Sequence, residues 1–270
     1  MRKAVVVLVV FSAFFFGCST GNVTVDESLG RYFDTAGVKG AFGMFDNGHG
    51  HFTIYNLSRY SDSFYTPAET FDIMLSLVGI QAGIKKDDSA ESDTPIDSAA
   101  VLGLPANFGQ EFRDTGSFNR LAFLILGQDI SRDTMKKWVD SLQYGNRKMG
   151  DSMEFWLNDQ LKINCDEQLG LLKKLYFNQL PFFARTQEIV SRMMSSESNS
   201  TYRLCYKTAQ GKKEDGHGIG WVEGWVEENK HPYFFVVNLE SADPAKDLRQ
   251  TGLVVVKKIL REQGFFEGKK

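Results

Sequence analysis

The stretch Thr66-Pro67-Ala68-Glu69-Thr70-Phe71-Asp72-Ile73-Met74-Leu75-Ser76 decides how this chain is read. Thr66 is a good helix N-cap, Pro67 fits the first helical position, and Glu69 completes a capping box three residues after Thr66. Phe71, Met74, Leu75 and Val78 then recur at i, i+3, i+4 and i+7, which predicts a helix reaching about Gly83 with one buried face. On this reading capping alone accounts for Glu69.

Working outward, residues 38–45 and 51–57 flank the turn cluster Asp46-Asn47-Gly48-His49-Gly50 and read as a β-hairpin. His49 and His51 lie near its turn and read as solvent-facing. Downstream, residues 85–95 are charged and polar, a surface loop, and residues 119–128 are apolar enough for a buried helix. Helical spacing recurs over residues 131–142, 166–176 and 186–194, and residues 195–201 read as a polar loop. Residues 202–208, 218–228 and 233–239 are β-branched and aromatic, with Gly, Asn and Pro between them, a three-stranded meander. Residues 247–263 close the chain as a helix with Leu248, Leu253, Val256 and Leu260 on one face and Gly264 as its stop. Strands first and last with helices between predict an α+β fold, in which distant strands join one antiparallel sheet flanked by helices.

The composition narrows the function classes. A net charge of −3 over 270 residues leaves no basic footprint, which argues against a nucleic-acid partner. Residues 1–17 carry Arg2 and Lys3 before a short apolar run, the pattern of a signal segment. Phe15-Phe16-Gly17-Cys18 resembles a lipoprotein signal, so Cys18 is the expected lipidation site. Residues 18–30 are expected to be a tether and residues 31–270 the folded domain. The protein is then exported, periplasmic or on the outer surface, and held at the membrane by a lipid. Cys165 and Cys205 have no CxxC or His partner, which gives no metal pattern and suggests two buried free thiols. Nothing calls for a cofactor, and the oligomeric state is not legible.

Several motifs, taken in order, resemble those of class D β-lactamases (oxacillinases). Pro67-Ala68-Glu69-Thr70-Phe71-Asp72 resembles the family's P-A-S-T-F-K. Tyr144-Gly145-Asn146 matches Y-G-N. Phe155-Trp156-Leu157, followed by Leu161-Lys162-Ile163, resembles F-W-L-x-G-x-L-x-I-S. Lys207-Thr208-Ala209 stands where K-T-G belongs, and Gly220-Trp221-Val222-Glu223-Gly224-Trp225-Val226-Glu227 resembles G-W-x-x-G-W-V-E. Tyr233-Phe234-Phe235 and Asn238-Leu239 fit the next strand, and Leu248-Arg249 fits the helix whose arginine binds the β-lactam carboxylate. The resemblance covers the chain from about residue 30 onward. It implies a penicillin-recognising fold, with a sheet core, a helical lobe and the site between them.

The resemblance also exposes a loss. The family's nucleophilic serine falls on Glu69 and its carbamylated lysine base on Asp72. Counting back from Gln128, the S-x-V serine falls on Ala122. Acyl transfer through an ester needs an activated hydroxyl or thiol beside a base. Glu69 would have to form an anhydride, and Asp72 has no amine to carbamylate. What is kept suits ligand binding: Lys207 and Thr208 on a strand edge, Arg249 as a carboxylate fork, and Trp156 over the pocket. Each has a plainer reading. Trp156, Trp221 and Trp225 suit a core, Arg249 could pair with Asp247 or Glu240, and Ala209 in place of glycine would crowd the strand edge. Two carboxylates at i and i+3 repel, so Lys207 is expected to form an ion pair with Glu69, Asp72 or both.

The leading expectation is therefore an exported pseudoenzyme that binds a cell-wall peptide, a β-lactam-like small molecule or a partner. The alternatives are an amide hydrolase that uses Glu69 and Asp72 by a changed mechanism, and a structural envelope protein.

Overall fold

The computed structural model describes residues 21–84, 130–152 and 154–270. The signal segment, Cys18, the loop at 85–95, the helix expected at 119–128 and Ala122 lie outside the described residues.

Seven strands form one sheet in the order β1-β3-β2-β7-β6-β5-β4. They are β1 (Val23–Val25), β2 (Lys39–Asp46), β3 (His51–Tyr55), β4 (Ser195–Ser198), β5 (Tyr202–Lys212), β6 (Gly218–Glu228) and β7 (His231–Ser241). The first hairpin docks on the last strand through β2 and β7, so the two ends of the chain close one sheet. The sheet is mixed, because β1 runs parallel to β3. Two expectations change here. Val23–Val25 sits within the expected tether yet joins the sheet, and Ser195–Ser198, expected as loop, pairs with β5 as an edge strand. Neither segment has the burial pattern of a core strand, so backbone pairing decides what composition cannot.

The helices are α1 (Gly30–Ala36), α2 (Leu57–Ser61), α3 (Asp72–Ile84), α4 (Arg132–Ser141), α5 (Cys165–Tyr176), α6 (Ala184–Met193) and α7 (Leu248–Glu262). Alternation along the strands assigns the two sheet faces. Val222, Val226, Phe235 and Val237 pack under α1 and α7, with Phe33, Val255, Val256 and Ile259. Trp221, Trp225, Phe234 and Val236 face the helical lobe of α3 to α6. At the centre of that lobe α3 is buried all round rather than on one face: Ile73, Leu77 and Ile80 are as inaccessible as Met74, Leu75 and Val78. A helix apolar on every side belongs in a core.

Helix α7 lies close on the sheet because β6 carries Gly220. A Cβ there would meet Leu248 Cβ at 2.6 Å and the Leu248 carbonyl oxygen at 3.2 Å. Gly220→Ala should therefore cost about 1–3 kcal/mol, read as a lower urea midpoint. An unchanged midpoint would mean that α7 slides freely on the sheet.

Candidate functional site

The helix entry differs from the capping box expected for it. Residues Ala68–Phe71 form a 3-10 turn leading into α3, and its N-cap, Pro67, makes no side-chain cap bond. Thr66 Oγ1 instead donates to the Trp156 carbonyl at 2.7 Å, and the Ala68 N–H donates to the same oxygen at 3.0 Å. The Trp221 Nε1–H donates to the Thr66 carbonyl at 2.9 Å. Ala68 is held at φ +49°, a left-handed conformation uncommon for a residue with a side chain. Tertiary hydrogen bonds thus override the local capping pattern and turn Glu69 away from the helix start.

Glu69 points at the edge of β5. Strand β4 pairs only with residues 203–206 of β5, so it leaves the edge beyond Tyr206 uncovered. One Glu69 oxygen accepts the Gln210 backbone N–H at 2.6 Å, and the other accepts Arg249 Nη2 at 2.6 Å. Gln210 also fixes the start of α7, where its side-chain oxygen accepts the Leu248 N–H at 2.8 Å. Asp247 caps α7 through the Gln250 N–H, and Glu240 binds Arg59, Lys213 and His217. Neither pairs with Arg249, whose partner is Glu69.

Asp72 turns inward. Its Oδ2 accepts Lys207 Nζ at 2.8 Å, with side-chain exposures of 3% and 4%, so this is a buried ion pair of the kind expected for Lys207. Burial nevertheless pushes the Asp72 carboxyl up to about 7, against the pull of Lys207. A third carboxyl lies behind them. Glu223 on β6 stands directly opposite Lys207 in the sheet register, between Trp221 and Trp225 on the lobe face. Both of its oxygens are buried without a hydrogen-bond partner among the described residues. Burial raises this carboxyl to about 8, with Lys207 opposing. At neutral pH Glu223 is therefore mostly protonated and Asp72 partly so, and Lys207 faces less than two full negative charges.

The other residues expected at the site fall elsewhere. Trp156 is buried, 2% exposed, and stacks on Phe71, so it belongs to the core and does not cover a pocket. Thr208 follows Lys207 but, by alternation, shares the opposite face with its register partner Val222, and its hydroxyl is buried. The Ala209 methyl is buried in the core cluster with Trp221, so it does not crowd the strand edge. Lys207 itself is enclosed. Of the four residues expected to hold a ligand, only Arg249 opens to solvent, at 28% side-chain exposure. It lines a groove of about 400 Å³ with Glu69, Leu157, Gln210, Gly211 and Lys212. Gln210, Lys212 and Glu223 were not singled out from sequence. Glu223 had a usable signal, a carboxylate in phase with two tryptophans along one strand.

Among the described residues, one group has metal-like spacing, Asp215, His217 and Glu240. Glu240 there already receives Arg59 and Lys213, which hold its carboxyl down at about 2 together with His217. A carboxylate neutralised by two cations is a poor metal ligand.

This arrangement defines a penicillin-recognising fold. The profile of the penicillin binding protein transpeptidase domain matches residues 33–263. β-Lactamase OXA-20 of Pseudomonas aeruginosa is 30% identical over 233 residues, 83% of each chain. The probable β-lactamase YbxI of Bacillus subtilis is 32% identical over 72% of each. Among solved structures, the class D β-lactamase FUS-1 (OXA-85) of Fusobacterium nucleatum subsp. polymorphum superposes with a TM-score of 0.74 at 26% identity, covering 90% of this chain and 100% of that one. The chain belongs to the penicillin-binding transpeptidase-domain family, and within it to the class D β-lactamases.

The raised carboxyls set a pH dependence. A carboxyl whose folded value exceeds its unfolded value contributes most at acid pH and loses that contribution as pH rises through the folded value. For Asp72 and Glu223 the window runs from about 4 to about 8. Stability should fall across it by on the order of 1–3 kcal/mol, well below the ideal value because buried sites relax and admit water. Glu223→Gln should flatten the alkaline part of this fall in thermal melts from pH 5 to 8.5; an identical slope in the variant would exclude Glu223 as its source.

Proposed function

We propose that this protein is an exported, non-hydrolytic class D β-lactamase relative that binds a carboxylate-bearing ligand in its groove, a cell-wall peptide or a β-lactam. The observation that carries the reading is the fate of Glu69. At the position of the family's nucleophile stands a carboxylate already engaged by the Gln210 N–H and Arg249. Attack by this group on an acyl carbon would give an anhydride, higher in energy than the ester a hydroxyl forms. Asp72 titrates near 7, a useful range for a general base, but it is sealed from the groove and bound to Lys207. Asp72 therefore does not reach a water molecule in the groove.

Relatives carry names from both hydrolysis and regulation. The regulatory protein BlaR1 of Bacillus licheniformis is 28% identical over 79% of this chain, although this match spans only 35% of BlaR1. A receptor needs recognition and no turnover, and this groove retains an arginine and a strand-edge donor for recognition. Export and lipid anchoring through Cys18 complete the reading and suit a protein that meets ligands outside the cytoplasm.

Two experiments test it. Purified mature protein should turn over no nitrocefin and carry no covalent penicillin adduct by intact mass. Restoring Glu69→Ser, Asp72→Lys and Ala122→Ser together should yield an acyl adduct. Hydrolysis of nitrocefin by the unaltered chain at rates of about 1 s⁻¹ or more, ordinary for an enzyme, would overturn the reading. Separately, Cys18→Ser should abolish incorporation of labelled palmitate and shift the protein out of the membrane fraction; unchanged labelling would remove Cys18 as the anchor.

A further inference from the structure

The groove contains a small charge imbalance. Among the described residues its cations are Arg249 and the exposed Lys212, and its carboxylate is Glu69. Glu69 uses both oxygens: one takes the strand-edge N–H of Gln210, the other takes Arg249, each at 2.6 Å. Charge-assisted hydrogen bonds from two directions are what a bound carboxylate ligand would make. The site therefore binds a carboxylate in this structure, and that carboxylate belongs to the chain itself.

The support behind these donors is rigid. Gln210 N–H is fixed by the β5–β6 ladder, and Arg249 follows Leu248, whose own N–H is held by the Gln210 side chain. A Cβ at Gly211 would meet Ala68 Cβ at 2.9 Å and Thr66 Cγ2 at 3.3 Å, so the 3-10 turn is pressed against the strand. The Glu69 backbone is thus fixed at the seat, while its side chain alone can swing away. Arg249 keeps 28% of its side chain exposed against 11% for Glu69, so an incoming group meets the arginine first.

We propose that Glu69 is an intramolecular occupant of a carboxylate seat formed by the Gln210 N–H and Arg249, and that the groove admits one external carboxylate by displacing it. Lys212 is the second cation that makes this exchange electrically balanced, since two cations then face two carboxylates. The proposal rests on the reading of the groove as a ligand site and adds its gate: affinity is lowered by competition with the chain's own side chain. A ligand with a single free carboxylate fits; an uncharged amide or ester of the same ligand does not.

Glu69→Ala removes a CH₂–COO⁻ fragment, which is acetate less one hydrogen, so acetate can refill the seat. Wild type, Glu69→Ala and Glu69→Ala/Arg249→Ala are melted in sodium acetate and in sodium chloride at equal ionic strength. Acetate should raise the melting temperature of Glu69→Ala specifically and bind it at least tenfold more tightly than wild type, and the double variant should lose the response. Equal acetate responses in wild type and Glu69→Ala, or in the single and double variants, would overturn the proposal. Should Glu69→Ala fail to fold, Glu69→Ser, which likewise empties the seat, gives the same comparison. A benzylpenicillin arm separates the two readings. Acetate rescue without benzylpenicillin binding supports the seat and removes the penicillin-like ligand, whereas equal benzylpenicillin binding to wild type and Glu69→Ala keeps that ligand and overturns the gate.

Discussion

A lysine ammonium enclosed between a sheet and a helical lobe must be neutralised, and the whole site follows from how that is done. Lys207 is carried by β5 into an interior where an isolated charge would cost several kcal/mol. Asp72, on the first turn of α3, supplies the counter-charge at 2.8 Å. That contact ties the central helix to the sheet. It also limits the next carboxyl: Glu223, across the ladder from Lys207, finds no second cation and is held mostly in its neutral form by burial. One buried cation thus shares the interior with two carboxyls that burial keeps partly or mostly protonated.

The same logic operates at the mouth of the site with different residues. Glu69 and Arg249 come from the 3-10 turn and from α7, elements that the sheet edge brings together. The two carboxylates three residues apart would repel if they shared one cation. Each has its own instead, one inside and one at the groove. A hydrolytic site holds reactive groups in mutual tension, and that arrangement trades stability for rate. Here Glu69 and Asp72 are each met by groups that complement them.

The sequence made the scaffold legible because motif order survives substitution at individual positions. Tyr144-Gly145-Asn146, the two-tryptophan strand and Leu248-Arg249 each sit where the fold uses them. What was not legible depended on tertiary geometry. The capping-box pattern at Thr66 and Glu69 is local, and it was overridden because Trp156 offers its carbonyl to Thr66 and Ala68. The burial of Trp156 and the facing of Thr208 and Ala209 depend on strand phase and on what packs behind the strand. Neither can be read from a tripeptide. Glu223 was overlooked because a carboxylate in a strand reads as solvated until Trp221 and Trp225 are seen to share its face.

The strain at Ala68 says most about this site. Ala68 has a left-handed backbone immediately before Glu69. Such a conformation costs on the order of 1–2 kcal/mol and persists only where surrounding contacts over-determine it. Those contacts are structural: the Trp156 carbonyl, the Trp221 indole and the close approach of Gly211. They hold the turn in place whatever side chain occupies position 69. The turn thus presents residue 69 to a strand-edge donor and an arginine that converge on one point. A carboxylate has two oxygens to satisfy both donors at once, so the geometry at position 69 favours an acidic residue.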